Sequence, residues 1–75
     1  MSKKKALAAA QMIMSAPKQH YGDGSRKVAA SVLSQAKDPE KKTTKKIATI
    51  ASKILNDLRF SEEAQTCAAS ALSQA

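Results

Sequence analysis

The sequence predicts an all-α fold: four short helices, arranged as two repeated helical hairpins that pack as an antiparallel bundle. Three observations carry that prediction. Ile47, Ile50, Ala51, Ile54, Leu55 and Leu58 recur at i, i+3, i+4, i+7, i+8 and i+11, a single apolar stripe of 3.6-residue period. The segment AASVLSQA at 29–36 returns as AASALSQA at 68–75, agreeing at seven of eight positions. No stretch shows the two-residue alternation of a half-buried strand.

The elements follow in order. Ser2 is a candidate cap for the first helix, whose inward face is Ala6, Leu7, Ala10, Ile13 and Met14, and Ala16-Pro17 stops it. The loop PKQHYGDG holds both glycines of the chain, expected to take positive φ, and it leads to Ser25 as the expected cap of a second helix bearing Val28, Val32 and Leu33. After the link Lys37-Asp38-Pro39, Asp38 is the expected N-cap of the third helix, with Pro39 at its first position and Glu40 in its first turn. Ser61 caps the fourth, where Glu62 and Glu63 complement the helix dipole and Ala64, Cys67, Ala68, Ala71 and Leu72 form the stripe.

The repeat extends upstream. Lys4-Lys5, Ala10 and Ile13 match Lys45-Lys46, Ala51 and Ile54 at an offset of 41, against 39 for the later segment, which implies a two-residue deletion in the second connecting loop. A single helical domain, 1–75, is therefore read as hairpins 3–36 and 40–75. Ala29, Ala30 and Ser31 hold places equivalent to Ala68, Ala69 and Ser70. Small side chains let helix axes approach to the short end of the usual range, so the second and fourth helices are expected to pack closely about a pseudo-twofold axis, with Ala69 in the contact.

Composition narrows the function classes. The chain has 75 residues, 43% of them hydrophobic, but fifteen are alanine and add little apolar area each, so the core is thin. Cys67 is the single cysteine, which excludes an intramolecular disulfide and fits a reducing, cytoplasmic location. A chain this small without a staple relies on well-packed helices or on self-association, which keeps a homodimer open. No apolar run reaches the length of a membrane span. Lys3–Lys5, ALAAAQMIM and SAP imitate a signal peptide, but Gln11 breaks the run, Pro17 sits where cleavage would occur, and the segment recurs later as an ordinary helix.

Thirteen Lys and Arg against six Asp and Glu leave a net charge of +7. In an up-down arrangement the starts of helices one and three share an end with the finishes of helices two and four. Lys3, Lys4, Lys5, Lys37, Lys41, Lys42, Lys45 and Lys46 collect there, offset by Asp38 and Glu40, a balance of +6. At the other end Lys18, Arg26, Lys27 and Arg59 cancel Asp23, Asp57, Glu62 and Glu63. Lysines at a helix N-terminus oppose its dipole at roughly 0.3–1 kcal/mol each. The plainest account is a solvated face offset by neighbouring helix C-termini and the carboxylate at Ala75. The sharper account is a docking surface for an anionic partner.

Catalytic chemistry finds little support. His20 is the only histidine, so neither a metal cluster nor a Cys-His pair assembles, and Cys67 lies on an inward stripe at the repeat position of Val28. Glu62 and Glu63 point about 100° apart on a helix, which suits capping better than paired acid-base work. The expectation is a non-enzyme without cofactor or metal. Nucleic acid is the obvious alternative partner, but only Arg26 and Arg59 could make bidentate contacts, and Tyr21 and Phe60 are the only aromatics. A helix-turn-helix over Ile47–Leu72 would present Ser61-Glu62-Glu63 to phosphate, the wrong sign. Met12, off the Leu7–Met14 face, suits an adaptable protein contact.

The two copies of AASxLSQA resemble an A-x-S-x-L-S-Q stretch of short uncharacterised bacterial polypeptides. The resemblance implies an origin in bacteria or their mobile elements and brings no activity or site residues. The function expected is a small regulatory or protein-binding module that engages an acidic partner through the eight lysines named above. The alternative is a DNA- or RNA-associated protein using the same lysines.

Overall fold

Apolar stripes of helical period can be buried only against one another, and the chain satisfies them with four helices. The computed structural model describes residues 3–38 and 40–74, with α1 at Lys3–Ser15, α2 at Asp23–Lys37, α3 at Lys45–Leu55 and α4 at Glu62–Ser73. No strand occurs among the described residues. The Ser2 cap, Pro39 at the first helical position and the carboxylate at Ala75 lie outside them, as does the side chain of Lys3.

The repeat is visible in what is buried. Ala10 and Ala51, Val28 and Cys67, and Ala29 and Ala68 are each fully enclosed at 0% exposure, and Ile13 and Ile54 match at 1%. α2 and α4 touch each other and both outer helices, whereas α1 and α3 make no contact. The section is a flattened rhombus with α2 and α4 on its short diagonal. Fully enclosed alanines, Ala29 on α2 and Ala68 on α4, belong to this central pair, and small side chains allow close approach there. Ala69, expected in this contact, is only partly buried, and the enclosed residue is its neighbour Ala68.

Ser61 caps α4 as expected, accepting the Ala64 N–H, and α1 stops at Ser15 ahead of Pro17. Other boundaries differ, each for a local reason. Asp38 does not start α3. It terminates α2, its N–H bonded to the Ser34 carbonyl, while its Oδ1 accepts from Glu40 N–H and its carbonyl from Lys41 N–H. Helix α3 begins only after Thr44, whose hydroxyl accepts the Ile47 N–H, because Thr43 is drawn out of helical geometry by α4.

Ser25 is buried inside α2 rather than capping it; Gly22 stands at the N-cap, and Asp23 supplies negative charge in the first turn. Neither glycine has positive φ. Gly24 instead permits close packing, since a Cβ there would lie 3.2 Å from Cγ2 of Ile50. Leu58 leaves the predicted stripe: the Asn56 N–H closes α3 on Ser52 and Ile54, a turn from Asp57 to Phe60 follows, and Leu58 is 91% exposed. Met14, in the last turn of α1, is 36% exposed where the stripe placed it inside. The connections 16–22, which holds His20 and Tyr21, and 38–44 both span seven residues. No helix among the described residues is long and apolar enough to cross a membrane.

Candidate docking surface

The lysine-rich end is assembled around Thr43. Its hydroxyl donates to the Ala71 carbonyl at 2.7 Å and accepts the Gln35 amide at 2.7 Å, and its N–H donates to the Gln74 carbonyl at 3.2 Å. These bonds are sheltered: Thr43 and Gln35 are both buried. They bind the connector 38–44 to the C-terminal turns of α2 and α4, where the Ala71 carbonyl accepts the Thr43 hydroxyl in addition to the Gln74 N–H, and the Gln74 carbonyl gains a donor. Gln35 and Gln74 are the glutamines of the two L-S-Q segments. Thr43, which carried no signal of its own in the sequence, joins the two copies, taking the side-chain amide of Gln35 and the backbone carbonyl of Gln74.

Seven of the eight predicted lysines are described to their side chains, and Lys4, Lys5, Lys37, Lys41, Lys42, Lys45 and Lys46 are all exposed. Lys3 opens α1. Lys4 lines a groove together with residues from the ends of α2 and α4, and Thr43 ties the approach to α3 onto α4, so the starts of α1 and α3 do share one end with the finishes of α2 and α4. Lys41 reaches back to Ser34, its Nζ 2.8 Å from the hydroxyl. Among the described residues none of these lysines is in an ion pair.

The groove at this end has a volume of about 220 Å³. Ala6 and Leu7 of α1 and Val32 and Ala36 of α2 give it an apolar lining, and Gln35 and Gln74 supply amides. Sequence periodicity assigns these residues to helix faces but does not reveal that three helix ends leave space between them.

The opposite end is wired differently. Tyr21 donates to Glu63 across the bundle, and this hydrogen bond, followed by a backbone one, lowers the Glu63 carboxyl pKa below its ordinary value while raising that of the Tyr21 phenol. The His20 ring meets Tyr21 edge-on, with centroids 4.8 Å apart. Arg59 clamps Asp57 through Nε and Nη2, the shortest contact being 2.7 Å, and holds its carboxyl down at about 2. Gln65 donates to the Asp57 carbonyl at 3.1 Å.

Cys67 is a buried thiol, and burial pushes its pKa up to about 11, which disfavours the reactive thiolate. No three metal-ligating side chains come together among the described residues. Compared with protein-family models, curated proteins and solved structures, the chain has no significant match in any of the three.

Proposed function

We propose that the protein is a small non-catalytic binding or regulatory module that engages an acidic protein partner through Lys3, Lys4, Lys5, Lys37, Lys41, Lys42, Lys45 and Lys46. The supporting observation is the contrast in how charge is used. Asp57, Arg59 and Glu63 at the far end are held by intramolecular partners, and Lys18, Arg26 and Lys27 there, in no ion pair among the described residues, are nearly balanced by Asp23 and Glu62. The described side chains of the lysine end instead stand exposed with little acidic charge to offset them. Exposed like charges on a common surface raise the local concentration of an anionic partner and speed encounter.

An acidic protein accounts for the chemistry of this end better than nucleic acid does. Lysine is a point charge without the fork that reads bases or phosphates in bidentate fashion, and Arg59, one of two arginines, is committed to Asp57. The apolar lining among the lysines also suits a side chain, which a phosphate backbone does not offer.

Fluorescence anisotropy with a labelled glutamate-rich peptide and with duplex DNA, each titrated at about 50 and 200 mM salt, tests the reading. The expected result is peptide binding that weakens with salt and is lost in the combined variant Lys41→Ala, Lys42→Ala, Lys45→Ala, Lys46→Ala. Absence of peptide binding at the lower salt overturns it. DNA binding that is tighter than peptide binding and falls by orders of magnitude with salt replaces it with the nucleic-acid reading.

A further inference from the structure

The groove between α1, α2 and α4 lies within the lysine end, and its size limits what it could hold. Ligand pockets for drug-sized molecules run to roughly 300–1,000 Å³, and an apolar cavity of about 150 Å³ already admits a benzene-sized group. At about 220 Å³ the groove matches one large aliphatic side chain.

Its origin can be read from the repeat. The counterpart of Ala6 in the second hairpin is Ile47, whose side chain packs onto the core beside α4. Leu7 corresponds to Ala48 at the same offset, so α1 carries its large side chain one position later than α3 does, and that side chain lines the groove. Ala10, Ile13, Val28 and Ala29 match Ala51, Ile54, Cys67 and Ala68 in burial, whereas Ala6, Leu7 and Val32 around the groove correspond to Ile47, Ala48 and Ala71, so the opening lies where the repeat departs.

One cation lines this apolar spot, and two more lie beside its lining residues along α2. Lys4 is among the residues lining the groove, Lys37 follows the lining residue Ala36, and Lys41 is hydrogen-bonded to Ser34, next to the lining residue Gln35. We infer that the groove takes a single leucine-like side chain from an acidic segment of the partner, whose carboxylates lie on the flanking lysines. The inference rests on the reading of the lysine end as a docking surface for an acidic protein, and it adds the partner's pattern: one aliphatic anchor between acidic residues. Anchors of this kind, buried in a pocket and ringed by polar contacts, commonly dominate interface energetics.

The test uses two fluorescein-labelled twelve-residue peptides of glutamate and alanine, one with a central leucine and one with serine in its place. Burying a leucine is expected to tighten binding by about tenfold or more over the serine peptide. Ala36→Leu, which fills the groove from an exposed position on α2, is expected to abolish that difference while leaving serine-peptide binding intact. Circular dichroism checks that the variant folds.

Equal affinity of the two peptides for the native protein overturns the groove inference and leaves the docking reading standing. Survival of the leucine advantage in a folded Ala36→Leu variant also overturns it. If neither peptide binds at about 50 mM salt, or if duplex DNA binds more tightly than the leucine peptide, both readings fall.

Discussion

The two ends of the bundle are built from the same four helices, yet they treat charge in opposite ways. At the Tyr21 end, Glu63 accepts a hydrogen bond from Tyr21 and Asp57 is clamped by Arg59, so these three charges serve local structure while the others there nearly cancel. At the Lys4 end, neutral groups bear the structural burden: the Thr43 hydroxyl, the Gln35 amide and the carbonyls of Ala71 and Gln74 hold the connector in place. The cations are left over. An end whose integrity does not depend on its charges can present them to another molecule without loosening itself.

The fifteen residues of α2 rise about 22 Å, and screening at physiological salt acts over about 8 Å. The two ends are therefore electrostatically independent, and each can be perturbed alone.

The largest effect is expected from removing the neutral anchor. Thr43→Val keeps the shape of the side chain but strips a buried hydroxyl that serves both Gln35 and Ala71, and the unmet groups should cost about 1–3 kcal/mol in urea unfolding. A loss below about 0.5 kcal/mol would mean that the lysine end does not stand on Thr43. Next comes Ser61→Ala at the other end, where loss of the cap on α4 should cost about 1 kcal/mol by the same measurement.

A smaller effect, of opposite sign, is expected from the charges of the lysine end. Lys45 and Lys46 lie in the first turn of α3, against its dipole and with no acidic residue in that turn. Lys45→Gln with Lys46→Gln should raise thermal stability by a few tenths of a kcal/mol per site at low salt, and the gain should vanish at 1 M salt, where screening acts over about 3 Å. Destabilisation instead would show that these lysines, like Arg59, are structural.

The smallest effect belongs to the carboxylates of the Tyr21 end. Asp57, held at about 2, and Glu63, lowered by Tyr21, both have folded pKa values below their unfolded ones. Their contribution is present above about pH 4, the ordinary carboxylate range, and is lost as pH falls toward about 2. Both are surface groups, so the change is modest. Asp57→Asn should flatten its share of the pH dependence of urea unfolding between pH 5 and 2, and an unchanged slope would remove the Arg59 clamp from the account.

Much of this architecture was legible beforehand because it rests on local pattern. The apolar periods in α3 and α4, the Ser61 cap, the Pro17 stop and the burial of Cys67 at the place of Val28 all depend on spacing within one helix or on a repeat within the chain. The lysine cluster was legible too, since short connections force the helices to alternate in direction.

Boundaries that depend on another helix were not legible. Asp38 and Pro39 carry the signature of a helix start, but the chain turns at Asp38–Lys41 and hydrogen bonds from Thr43 to Ala71 and Gln74 keep it out of the helix until Thr44. Leu58 fits the period of α3, but the chain turns at Asn56 before reaching it. Gly24 reads as a turn residue, yet its role comes from Ile50 on another helix.

The sequence by itself determined the all-α class, the twofold repeat, the buried stripes and the gathering of lysines, because periodicity, small-residue pattern and net charge are properties of the chain. Only the tertiary structure decided where α3 begins, that α1 and α3 stay out of contact, and that Ala6, Leu7, Val32 and Ala36 surround an open groove. Those features arise from distances between residues far apart in sequence, and hydrogen bonds and van der Waals contacts are made or missed at those distances.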